Sequence, residues 1–162
     1  MKSAQCLVFL ASLFALAAIV APMTTMAAPK SACDTLTLAE IGKVLGGKVV
    51  IDQSQSGPDD RSGDNCVWTG PNKSIILIRV QPVADKNQVQ TKYKEALEQA
   101  YSGGRAPEAL AGVGDEAKYR DYSGNLKGGV IVGRKGQVLF VVEGSASRDA
   151  LGALAGVLIS RM

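Results

Sequence analysis

The chain has 162 residues, 18 Lys and Arg against 15 Asp and Glu, a formal charge of +3 and no histidine. Its charges are mixed along the chain and aromatics make up 5 %, so it offers neither the basic stripe of a nucleic-acid footprint nor a stacking platform for single strands. Without imidazole it lacks the usual general base near neutral pH and the usual partner of a nucleophilic Ser or Cys.

Residues 1–27 read as a signal peptide, with Lys2 as the only charge and an apolar run from Leu7 to Ala21 that Pro22 ends. The run is shorter than the roughly 20 residues a membrane span needs, and Thr25 and Ala27 suit the −3 and −1 positions of a cleavage site. No stable membrane anchor is expected after cleavage, and the location expected is periplasmic or secreted. Residues 28–162 form one expected domain, long enough for a real core.

Cys6 leaves with the leader. Cys33 follows Lys30, Ser31 and Ala32, which is no lipobox, so lipidation is not expected. An even pair of cysteines in an exported chain implies a disulfide, here Cys33–Cys66.

The first helix starts at Thr37-Leu38-Ala39-Glu40, a capping-box sequence, and stops at Gly46-Gly47. Short β-branched runs predict strands over 48–53, 65–69 and 74–81, with the polar stretch 53–65 as a loop. Val89, Tyr93, Ala96, Leu97, Ala100 and Tyr101 form a helical stripe within a helix over 85–101. Three more strands, 117–122, 126–133 and 137–143, precede a last helix capped by Ser147. The expected fold is α+β: a six-stranded, mainly antiparallel sheet in α-βββ-α-βββ-α order. SIILIRV and QVLFVV are apolar at both parities, so helices should cover both faces. Arg79 and Glu143 each end one parity of their strands, and they should share a face within pairing reach if the strands are neighbours.

Cys33, Leu36-Thr37 with Glu40, Leu45-Gly46-Gly47, Cys66-x-Trp68 and Gly112 to Ala117 (GVGDEA) together resemble the small exported bacterial domains of the LpqN sort. That resemblance spans nearly the whole mature chain. It implies a Mog1/PsbP-like α/β/α sandwich with a binding or accessory role, and it transfers no catalytic residue.

Gly112-x-Gly114-x-x-Ala117 mimics a dinucleotide fingerprint, but a strand and not a helix should follow it, so it reads as a turn. Asp59, Asp60 and Asp64 lack EF-hand order and read as a solvated loop. Trp68 reads as packing on the disulfide, with a ligand platform as the alternative. Tyr119 and Tyr122 join it as possible ligand or partner contacts. No catalytic, cofactor or metal residues are assigned. The expected function is a non-catalytic binding or accessory module for a protein or cell-envelope ligand. The alternatives are a carboxylate-dependent envelope enzyme, using for instance Asp115 and Glu116, or a secreted inhibitor or effector.

Overall fold

The computed structural model describes residues 31–59, 63–101, 106–124 and 126–162. The predicted signal peptide lies outside these residues. Among them are four α-helices, α1 (Ala32–Thr35), α2 (Leu38–Leu45), α3 (Val89–Ala100) and α4 (Arg148–Arg161). Eight strands form one sheet: β1 (Val50–Ile51), β2 (Gly57–Asp59), β3 (Gly63–Thr69), β4 (Ile75–Pro82), β5 (Glu108–Ala109), β6 (Glu116–Asp121), β7 (Gly129–Lys135) and β8 (Val138–Gly144). The sheet order is β1-β3-β4-β8-β7-β6-β5, with β2 also on β3, and every pairing is antiparallel.

The sheet has eight strands where six are expected from the sequence. The additions, β2 and β5, are GPD and EA. Neither has the β-branched or aromatic residues that mark a strand locally; each is an edge piece defined by its neighbour. The helix expected from residue 85 begins at Val89, because Asp85 instead caps a 3-10 turn over Lys86–Gln88. The strand expected from Leu126 begins at Gly129.

The first capping box is present: Thr37 accepts from the Glu40 backbone, and Glu40 accepts from the Thr37 backbone. Gly46, in the left-handed region, closes that helix. The Cys33–Cys66 disulfide joins α1 to β3, with Cα atoms 5.0 Å apart. Beside it, the Ala32 N–H donates to Asp64.

Strands β4 and β8 form the middle of the sheet, which explains their apolar residues at both parities. On one face Cys66, Trp68, Ile76, Ile78, Val80, Ile131, Phe140 and Val142 pack with Ile41 of α2 and Leu151, Leu154 and Leu158 of α4. On the other, Val130, Val132, Leu139 and Val141 pack with Val89 and Tyr93 of α3. Gly133 lies opposite Phe140 in the β7–β8 register, and the phenyl ring occupies the space a β-carbon there would need.

Helices therefore cover both faces, but unequally. On the second face α3 packs on β7 and β8, while Val50 and Ile75, farther across the sheet, are 56 % and 42 % exposed. Among the described residues, no helix is long and apolar enough to cross a membrane. The disulfide is compatible with an oxidising, exported environment.

Candidate functional site

Two concavities flank β6 and α3. The larger, about 360 Å³, is lined by Glu108, Tyr119, Arg120, Asp121 and Tyr122 among others. The second, about 270 Å³, is a groove with Arg79, Gln81, Leu139, Val141 and Glu143 on its sheet side and Lys92, Glu95, Ala96, Gln99 and Ala100 of α3 as its wall.

The wall is fixed from its C-terminal end. The last turn of a helix leaves carbonyls without intrahelical partners. Arg120 on β6 donates to two of them, Tyr101 O at 3.0 Å and Ala100 O at 3.2 Å. Its guanidinium also lies 5.2 Å from the Tyr101 ring centre. The Tyr101 hydroxyl donates to Lys118 O at 2.6 Å, and burial pushes its pKa well above the ordinary value. These bonds lock the end of α3 to β6 and so set the width of the groove.

In the larger cleft Tyr119 is nearly buried, at 3 % exposure. Its hydroxyl donates to Asp121 at 2.5 Å, and Arg148 of α4 sits over its ring at 5.2 Å. Burial, then Asp121, push the Tyr119 pKa up to about 12. Arg148 also pairs with Glu108 at 2.6 Å. Tyr122 is half-buried and donates to Glu143 Oε1 at 3.0 Å. Burial and the adjoining carboxylate raise its pKa well above normal, so it is a neutral donor at physiological pH. Because Tyr122 lines the cleft and Glu143 the groove, this bond connects the two.

Of the residues singled out from sequence, Tyr119 and Tyr122 thus meet in one cleft. Trp68 does not join them. It is fully buried on the same face of β3 as Cys66, and its Nε1 has no hydrogen-bond partner among the described residues. Its place is in the core beside the disulfide, where no ligand reaches it without rearrangement. Asp115 and Glu116, the candidate acid and base, both lie on Arg134, each at 3.5 Å. Asp115 also accepts from the Gly136 N–H at 2.7 Å. Neither residue lines the cleft or the groove. The Gly112 and Gly114 turn, both at positive φ, leads into β6; a strand follows the glycines, as the turn reading expects.

The groove brings together Arg79 and Glu143, which the sequence places on one parity each. β4 and β8 are neighbours, Arg79 opposes Val141, and Leu77 opposes Glu143. The two charges therefore share a face on a diagonal. The ion pair expected from that proximity is not made. Arg79 Nε donates to Asn65 Oδ1 at 2.8 Å, and Glu143 takes the Tyr122 hydroxyl. Each side chain is drawn away from the other by a neutral partner on the adjoining strand or strand end. Asn65 carries no sequence signal for this role; its place opposite Arg79 follows from the β3–β4 register.

The carboxylates lining the two concavities are all engaged: Glu95 by Lys92 at 2.8 Å, Glu108 by Arg148, Asp121 by Tyr119 and Glu143 by Tyr122. Glu40, a carboxylate held well below its ordinary range, lies elsewhere. Arg161 grips both of its oxygens, at 2.6 and 3.0 Å. Those bonds, with the Thr37 N–H, take its pKa from 4.5 to about 2. No protein-family model and no curated protein matches the chain.

Proposed function

We propose that this is an exported, non-catalytic binding or accessory module that recognises a protein or envelope ligand through the paired concavities. The observation that carries the reading is the engagement of all four lining carboxylates by a hydroxyl, a lysine or an arginine. Groups held this way present a fixed pattern of donors and acceptors, which is what recognition requires. The resemblance of its short motifs to small exported bacterial domains of the LpqN sort points the same way, towards an accessory domain. The predicted signal peptide and the disulfide support a periplasmic or secreted location.

The test is a spectrum of the oxidised mature domain, isotope-labelled, titrated with fractions of envelope extract. Perturbations at Tyr119, Tyr122 and the strands β4 and β8, with the extract chemically unchanged, support the proposal. Conversion of an extract component that stops on Glu143→Gln or Asp121→Asn would replace it with the carboxylate-enzyme reading.

A further inference from the structure

We propose that the groove between α3 and strands β4 and β8 binds a small zwitterion, a free α-amino acid or short peptide, with its carboxylate on Arg79 and its ammonium on Glu143. This rests on the binding reading above and names the ligand class for one of its two concavities.

The argument begins with two charges kept apart. Diagonal neighbours across an antiparallel pair lie about 7–8 Å apart at their Cα atoms, within reach for long side chains. Here Asn65 and Tyr122 hold the two charges apart, each through a hydrogen bond to the charged group.

The held geometry leaves functional atoms available. Arg79 uses only Nε on Asn65, so its two terminal nitrogens make no other bond to a described residue. They keep the planar fork that matches a carboxylate. Glu143 accepts from Tyr122 through Oε1, leaving Oε2 as an acceptor for an ammonium. A single small molecule bearing both charges satisfies both ends at once, where an anion or a cation alone would satisfy one.

Size and lining agree. At about 270 Å³ the groove lies just below the range of drug-sized ligand sites, a size for a small molecule. Val141, opposite Arg79 and next to Glu143 on the same face of β8, and Leu139 beyond it, opposite Gln81, give the groove an apolar floor, and Ala96 and Ala100 are the small residues of the α3 wall. A compact apolar side chain fits that space.

The probes are L-leucine and leucyl-leucine, with N-acetyl-leucine and leucinamide as single-charge controls, measured by calorimetry on the oxidised mature protein. Leucine binding alone would identify a free amino acid as the source, and preference for leucyl-leucine a peptide. In either case N-acetylation and amidation should each weaken binding at least about tenfold, or 1.4 kcal/mol. Arg79→Gln should erase the difference between leucine and leucinamide and keep that between leucine and N-acetyl-leucine. Glu143→Gln should do the reverse. These are ratios within one folded variant, so a general loss of stability does not imitate them. Failure of both zwitterions to bind, or binding indifferent to N-acetylation, would overturn the site and leave the module reading intact. Cleavage of leucyl-leucine would instead overturn the non-catalytic reading.

Discussion

Arg79 and Glu143 sit diagonally on one face of the β4–β8 pair, and neither pairs with the other: Asn65 takes the arginine and Tyr122 the glutamate. The separation depends on the Tyr122 hydroxyl. In Tyr122→Phe, Glu143 should swing to Arg79 and form the missing ion pair. A structure of that variant should show the two in contact, with stability changed by no more than about 1 kcal/mol, since a new, partly exposed pair gains little. Glu143 staying in place without its donor would show that packing, and not the hydroxyl, holds it.

Removing the disulfide should be costly. It closes a separation of 33 residues, for which the chain-entropy account gives about 3–4 kcal/mol. The Cys33→Ser, Cys66→Ser double variant should lose about that much in chemical denaturation, and the oxidised parent should show no alkylatable thiol. Two titratable thiols without reductant would contradict the staple.

Gly133→Ala should destabilise by about 1–3 kcal/mol through overpacking. The added methyl meets the Phe140 ring, which is buried in the core. Pairing the change with Phe140→Leu should recover part of the loss. Equal costs in the two backgrounds would show that the ring is not the obstacle.

The Glu40–Arg161 pair ties α2 to the end of α4 and should appear in acid. Glu40 is depressed in the folded state, so its contribution is full above the ordinary 4.5 and is lost as pH falls towards about 2. The side chains are about one-third exposed, so solvent screening keeps the effect small. Glu40→Gln should remove the corresponding slope between those pH values, being slightly less stable than the parent at neutral pH and converging with it as pH falls towards about 2. A slope identical to the parent's would place the titration elsewhere.

What the sequence reveals of this fold is what local chemistry dictates. Thr37 and Glu40 mark a helix start, the double-parity apolar runs mark the two central strands, and Ser147 marks the last cap by accepting from the Ala150 N–H. The short strands at 57–59 and 108–109 are legible only through their partners, because Gly-Pro-Asp and Glu-Ala have no strand propensity of their own. The start of α3 is misplaced because Asp85 makes the same side-chain bond over a 3-10 turn that it would make over a helix. The site is the least legible part. Tyr119 and Tyr122 are noticed as aromatics, but their carboxylate partners come from a strand end and a distant strand. The Arg120 clamp on α3 and the Asn65 bond to Arg79 depend on registers that join residues 20 and 14 positions apart. No local pattern encodes those pairings.

The central claim is recognition by a connected cleft and groove, and the most direct measurement is the backbone amide spectrum of the oxidised mature domain titrated with envelope extract. The account predicts shifts confined to α3, β4, β8 and the Tyr119–Tyr122 segment, which saturate and reverse on dilution while the extract keeps its composition. Shifts spread over the α2–α4 face with none at Arg79, Tyr122 or Glu143, or steady consumption of an extract component, would contradict it.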